Sequence, residues 1–128
     1  MKAAGGEIAG WAIDGTRLYK EVKTDPVQAN NSLIELNSNT DNNAILVKGA
    51  AYNSSTDEWK MQNNFYIRHD GYLFSRYGKI GGWDIGFNDL TADNNKIGLR
   101  ANGSPFLWAK NKNDKTIFSV SSDGDLHA

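Results

Sequence analysis

Residues 78–85 read GKIGGWDI, and residues 6–13 read GEIAGWAI. This Gly-Trp motif guides the interpretation of the chain, because its copies lie 72 positions apart and Leu18 and Leu90 keep the same separation. Self-similarity at a fixed spacing is typical of repeat architectures, so it is the first feature to seek. The motif residues are Ile8, Gly10, Trp11 and Ile13 in the first copy and Ile80, Gly81, Gly82, Trp83 and Ile85 in the second.

A second motif also occurs twice. Residues 65–75 read FYIRHDGYLFS, and residues 118–128 read FSVSSDGDLHA, 53 positions later. Asp70-Gly71 and Asp123-Gly124 stand between alternating apolar residues, which is a strong signal for a β-hairpin with a type I′ turn. Because the two motifs have different spacings, the length difference between the copies is expected in the intervening loops.

These motifs divide the chain into two units, residues 1–77 and residues 78–128. Each unit is expected to contain a Gly-Trp strand, a hairpin, and a second hairpin closed by Asp-Gly. The sequence therefore predicts an all-β fold, an elongated repeat of short antiparallel hairpins. Helical periodicity is weak; Thr16–Val27 is the best helical candidate, although a strand and a loop fit it equally. A third Gly-Trp motif would begin at about position 131, so we expect a fragment of a longer repeat protein.

Composition narrows the function classes. Hydrophobic residues make up 39% of the chain, charged residues 23%, and the net charge is -1. This is a globular composition, and it lacks the basic surface that nucleic-acid binding requires. No cysteine is present, which excludes disulfides, thiol catalysis and Cys-based zinc sites. No apolar run approaches the roughly 20 residues of a membrane span. Neither nucleic acid nor membrane insertion is expected.

The two motif tryptophans are predicted to be core anchors. If Ile80–Ile85 is one regular strand, its two glycines cost about 0.5–1 kcal/mol each. A Trp that buries on the order of 200 Å² outweighs this cost. Trp11 and Trp83 are therefore interpreted as packed side chains rather than as platforms for sugars.

Three other aromatic residues are candidate glycan contacts: Tyr52, Trp59 and Trp108. The two tryptophans share no position between the units, and Trp59 follows a polar loop. The unequal segments around Val22–Asn43 and Gly49–Asn64 are where a binding surface is expected.

No catalytic constellation is recognisable. The adjacent pair His69-Asp70 fits turn chemistry better than acid–base catalysis, because neighbouring strand residues point to opposite faces. Segments Asp89–Asn95 and Asn37–Asn43 are rich in oxygen ligands but lack a calcium-binding spacing. Neither a nucleophile elbow nor a P-loop nor a dinucleotide fingerprint occurs. The chain is predicted to have no catalytic residue, no metal and no cofactor, and not to be an enzyme.

The run Phe-x-Ile-x-x-Asp-Gly-x-Leu at Phe65–Leu73, with Lys-Ile-Gly-Gly-Trp-x-Ile at Lys79–Ile85, resembles repeats in tail proteins of bacteriophages and prophages, especially those of Gram-positive hosts. In the first Gly-Trp copy, Ala9 replaces a glycine and Glu7 a lysine. The resemblance implies a tail-fibre, tail-tip or receptor-binding subunit in the virion tail. Such subunits are commonly intertwined homotrimers that act outside the cell, contacting host glycans or holding a receptor-binding tip beside other tail proteins.

Elementary physics agrees with an assembled state. Small units with few apolar residues bury little surface alone, so stacked repeats and neighbouring chains are expected to supply the missing burial. Two alternatives remain open at this point: a carbohydrate-binding module of a bacterial surface protein, and an accessory region of a polysaccharide hydrolase.

Overall fold

The structure is a computed structural model that describes residues 5–128, and within that range it contains no helix. The chain forms two compact units, Met1–Ser75 (unit 1) and Arg76–Ala128 (unit 2). The sequence motifs predicted the boundary between the units two residues later, between residues 77 and 78. Each unit holds one antiparallel sheet of seven strands, in which consecutive strands of the chain are hydrogen-bonded neighbours.

The strands of unit 1 differ strongly in length, and the longest two form one hairpin. They are β1 (Gly5–Ile8), β2 (Trp11–Asp14), β3 (Arg17–Val22), β4 (Ser32–Asn37), β5 (Asn43–Asn53), β6 (Glu58–Arg68) and β7 (Leu73–Ser75). Of the two interpretations of Thr16–Val27, the strand and loop is confirmed and the helix is wrong, since this segment contains β3 followed by a loop.

The strands of unit 2 are uniformly short. They are β8 (Gly78–Ile80), β9 (Trp83–Ile85), β10 (Asp89–Ala92), β11 (Ile97–Arg100), β12 (Leu107–Lys110), β13 (Thr116–Val120) and β14 (Leu126–His127). The all-β, antiparallel character predicted from the sequence is thus confirmed.

The Gly-Trp motif is a tight hairpin, so the prediction of one regular strand over Ile80–Ile85 is wrong. Ile80 and Trp83 pair directly across a two-residue loop. Gly81, the first loop residue, has a φ of 60°, whereas Gly82 is not in the positive region. Such loops match the right-handed twist of their flanking strands. The glycines therefore permit a turn rather than a close contact between strands.

The first copy of the motif forms the same kind of hairpin. Ile8 and Trp11 pair directly, and both loop residues between them have positive φ, 51° at Ala9 and 83° at Gly10. This is the pattern of a type I′ turn, in which Gly at the second position is unstrained. The first copy thus forms the hairpin although Ala9 stands where the second copy has Gly81.

The Asp-Gly loops join β6 to β7 and β13 to β14, but their turn type differs from the predicted one. Gly71 and Gly124 have φ of 88° and 89°, whereas neither Asp70 nor Asp123 has a positive φ. The Gly71 N–H donates to the carbonyl of Arg68 at 3.0 Å. These features describe a three-residue loop that ends in a left-handed glycine, not a type I′ turn.

Pairing register sorts the side chains of unit 2 by face, because directly opposite residues of antiparallel strands point the same way. One row crosses all seven strands and consists of Gly78, Ile85, Leu90, Leu99, Leu107, Val120 and Leu126. A second row on the same side consists of Ile80, Trp83, Ala92, Ile97, Ala109 and Phe118. We call this side the apolar face of unit 2. The opposite, polar face carries Lys79, Asp84, Thr91, Gly98, Trp108, Ser119 and His127.

Unit 1 has the same two-sided character. Its apolar face contains a row of Gly6, Ile13, Leu18, Leu36, Ile45, Ile67 and Leu73. A shorter row beside it consists of Lys20, Ile34, Val47, Phe65 and Ser75. The opposite side, the mixed face, combines aromatic and charged side chains: Glu7, Ala12, Tyr19, Glu35, Leu46, Tyr66 and Phe74.

Taken by itself, each unit leaves its apolar face open. Leu36 and Leu99, at equivalent places in the two long apolar rows, are each 46% exposed. Among the described residues, the buried hydrophobic side chains are Leu33 and Trp108, and both lie on the other side of their sheets. A globular domain normally places its apolar sheet face against a second layer. Neither unit contains a second layer of its own that covers its apolar face.

Candidate functional site

The motif tryptophans lie on the apolar faces but are only half-buried. Trp11 lines a shallow apolar depression of about 280 Å³ with Ile8, Leu18 and Leu36. Trp83 is paired with the exposed Ile80. Both tryptophans thus contribute to an open apolar surface, whereas the sequence predicted anchors of a closed core. Ile13 and Ile85 follow on the same faces.

Trp108 is not an exposed platform, so the prediction that it contacts a glycan is wrong. It is 3% exposed and pairs with Gly98, whose missing side chain makes room for the indole ring. The indole Nε1 donates to the Asn95 carbonyl at 3.1 Å, and the Arg100 guanidinium lies 4.7 Å from the ring centre. A ring enclosed in this way cannot stack on a sugar.

Tyr52 and Trp59 form an exposed aromatic pair. They are directly opposite on β5 and β6, with ring centres 5.4 Å apart and ring planes inclined by 50°. Tyr52 is 50% exposed and Trp59 36% exposed. The Tyr52 hydroxyl donates to the Asp57 carboxylate, and this hydrogen bond raises the pKa of Tyr52. The two rings therefore form an oriented aromatic surface that remains accessible to a ligand.

A two-stranded ribbon carries this pair beyond the rest of the sheet. Pairing of β4 with β5 ends at Gly49, and pairing of β7 with β6 begins at Phe65. Residues 50–61 consequently pair only with each other, around the polar loop 54–57. The corresponding hairpin of unit 2, β12–β13, has no such extension.

A polar cleft of about 510 Å³ opens on the mixed face of unit 1, beside Leu46. Its polar lining includes the carboxylates of Glu35, Asp41 and Asp70, the amide of Asn42, the guanidinium of Arg68 and the imidazole of His69. This mixture of acceptors and donors suits a neutral, polyhydroxylated ligand better than a strongly charged one.

Ion pairs hold the charged groups of the cleft in place. Arg17 Nε donates to the carboxylate of Glu35, which is 6% exposed. Arg68 donates to both carboxylate oxygens of Asp70, and its guanidinium lies 4.8 Å from the ring centre of Tyr72. The hydrogen bond from Arg68, followed by that from the Tyr72 N–H, lowers the pKa of Asp70. The same contacts hold the Asp70 carboxylate beside Arg68.

His69 and Asp70 do not act as a pair in this geometry. The His69 ring nitrogen Nε2 donates to the Asn37 carbonyl at 2.9 Å, which joins the β6–β7 loop to the end of β4. Asp70 instead binds Arg68. The turn interpretation of these two residues agrees with these contacts.

A second, smaller opening of about 240 Å³ lies between the loop after β3 and the same side of the sheet. Lys48 and Met61 of the β5–β6 hairpin line it, together with Thr24 and Asn31 of the loop. The loop buries Asn31 and Leu33, and Thr24 donates to the Asn31 side chain at 2.9 Å. These contacts account for the burial of Leu33, whereas Glu35 and Asn37 on the same side of β4 are held by Arg17 and Thr16.

From the sequence, His69 and Asp70 were named at the turn but the other polar residues of the cleft were not singled out, and Arg68, His69 and Asp70 lie outside the two segments in which a binding surface was expected. Glu35, Asp41 and Asn42 lie within the segment Val22–Asn43, and the aromatic pair lies within Gly49–Asn64. The signal was the difference in length between the two units at these positions. Within residues 5–128, no three His, Asp or Glu side chains come together in a metal-binding arrangement.

Residues 5–128 contain no helix of the length and apolarity needed to span a bilayer. In comparisons with protein-family models, with curated proteins and with solved structures, nothing matches this chain.

Proposed function

We propose that the chain is a self-assembling structural and adhesion module of a bacteriophage tail-fibre or tail-tip protein, which supports or makes contact with the host surface. It works outside the cell as part of the virion tail, as an elongated intertwined homotrimer beside other tail proteins. It performs no catalysis and needs no cofactor.

The observation that carries the proposal is the uncovered apolar face of each sheet. In unit 2 this face presents no charged side chain in either row, yet Leu126 and Ile80 are 64% and 66% exposed. At about 25 cal/mol per Å² of apolar surface removed from water, covering such faces is a strong driving force. Other copies of the chain provide that cover when their apolar faces meet.

A repeat relation between the units supports a fibrous module. The first loop of each sheet is the Gly-Trp hairpin, and the last is the Asp-Gly loop. The long apolar rows also correspond strand by strand, from Gly6 and Gly78 to Leu73 and Leu126. Repeated units of this kind stack through equivalent surfaces.

The assignment to phage tails and the number of three copies rest on the motif resemblance. A closed cyclic assembly is also the common solution for identical chains, because it uses one surface repeatedly and leaves none open. Three sheets whose apolar faces meet at one axis satisfy that requirement.

Light scattering on the purified chain tests the assembly. The expected mass is that of three 14.1 kDa chains. Leu126→Lys places a charge at the end of the long apolar row of unit 2, and it is expected to lower the mass or to unfold the protein because the charge would be buried between copies. His127→Lys adds the same charge to the adjacent residue on the polar face and is expected to leave the trimer intact.

A wild-type chain that is monomeric and fully folded by circular dichroism would contradict the proposal. The proposal would also be contradicted if Leu126→Lys and His127→Lys had the same effect on the mass measured by light scattering. In the first case the carbohydrate-binding module becomes the better candidate, since Tyr52 and Trp59 remain an exposed aromatic pair in a single chain.

A further inference from the structure

We propose that the mixed face of unit 1 binds an extended carbohydrate, which lies along the β5–β6 hairpin from the polar cleft to the aromatic pair Tyr52–Trp59. This inference deepens the proposed host-surface contact. It rests on the proposed assembly, because assembly through the apolar face of unit 1 leaves the opposite, mixed face free.

The features of the site lie on one side of one strand. Side chains alternate along β5, so Leu46, Lys48, Ala50 and Tyr52 point to the same face. Leu46 borders the large cleft, Lys48 borders the second opening, and Tyr52 belongs to the aromatic pair. The three features therefore follow one another in order along the hairpin.

The length of this arrangement favours a chain rather than a single sugar. From Leu46 to Tyr52 the strand advances six residues, which corresponds to ~20 Å at about 3.3 Å per residue. A ligand that contacts both the cleft and the aromatic pair must span that distance. A linear oligosaccharide or polysaccharide segment does so in an extended conformation.

The chemistry of the site matches a carbohydrate. A sugar ring presents an apolar C–H surface and a rim of hydroxyl groups. The aromatic pair offers flat apolar surface at one end, as exposed aromatic residues at binding sites do. Carboxylates, amides and a guanidinium in the cleft offer acceptors and donors for the hydroxyl groups at the other end.

The ribbon itself is unsuited to burial between copies. On the side opposite the aromatic pair, it carries Ala51, Asn53, Glu58 and Lys60, so the row of large aliphatic residues does not continue along it. Charged and amide groups are unfavourable in a dry interface. The ribbon therefore presents its aromatic side outward as a ligand-binding surface.

The proposal is tested with an array of bacterial wall and capsular polysaccharides, followed by isothermal titration calorimetry of the strongest binder. We expect at least one polysaccharide to bind. Trp59→Ala and Tyr52→Ala are each expected to raise its Kd about tenfold or more, which is about 1.4 kcal/mol. Trp59→Phe is expected to retain most of the affinity, because it keeps an aromatic ring on the ribbon.

Phe87→Ala is the matched control, since it removes an aromatic ring of unit 2 that is 72% exposed, and it is expected to leave the Kd unchanged. Absence of binding to every polysaccharide overturns the proposal, as does binding that neither ribbon variant weakens. Light scattering on the same samples separates the two hypotheses: an assembled protein without affinity refutes the carbohydrate site alone, and a monomer with affinity refutes the assembly alone.

Discussion

At the scale of residues, glycine has two different uses in this chain, and the sequence did not distinguish them. Gly10 and Gly81 allow positive φ in the Gly-Trp hairpins. Gly98 has no such backbone and instead makes room for the ring of Trp108 on the neighbouring strand. Both uses depend on register, which short motifs do not specify. This is why the sequence placed glycines inside a strand and left Trp108 as a candidate glycan contact.

Gly98→Ala is expected to destabilise unit 2 by about 1–3 kcal/mol, because the added Cβ would overlap the indole ring of Trp108. The displaced ring should become accessible to a fluorescence quencher such as acrylamide. Gly82→Ala is the control, since a Cβ there meets nothing within 4 Å and the residue has no positive φ. Equal stability of the two variants would contradict the packing described for Trp108.

At the scale of elements, the β5–β6 hairpin is the main departure of unit 1 from unit 2. From the sequence, this region could be recognised only as the segment Gly49–Asn64, in which the two units differ in length. The cleft, in contrast, requires β4, β5 and the β6–β7 loop to come together, since Glu35, Leu46 and His69 are far apart in sequence. Alternation within one strand can be predicted from the order of apolar and polar residues, whereas contacts across strands depend on the register of the whole sheet.

Shortening this hairpin should leave the sheet intact. Replacement of residues 51–60 by Asn-Gly keeps the pair Ala50 and Met61 and supplies a favourable two-residue turn. We expect the free energy of unfolding to change by less than about 1 kcal/mol, because the removed residues pair with no other strand. Urea denaturation measures it. Loss of the folded sheet would mean that the ribbon has structural partners.

At the scale of the whole molecule, the repeated order of motifs and the all-β class could be read from the sequence. The openness of the apolar faces could not, because alternation of apolar and polar residues is the same whether a second layer comes from the same chain or from another. Even the β4 pattern, with Ile34 and Leu36 exposed and Glu35 buried, reverses the usual sense of such alternation. Only the folded sheets reveal that each presents an uncovered apolar side.

If other copies cover these faces, folding and association are one reaction, and thermal stability must depend on concentration. For a trimer, each tenfold increase in chain concentration adds about 2.7 kcal/mol per assembly, which corresponds to a rise in Tm of about 3 °C for three 128-residue chains. A dilution series followed by circular dichroism measures the slope. Leu99→Lys, at the middle of the long apolar row of unit 2, should lower the Tm and weaken this dependence, since it disfavours the assembled state. A Tm that stays constant over the series would show that each chain is stable alone, and the apolar faces would then need a different explanation.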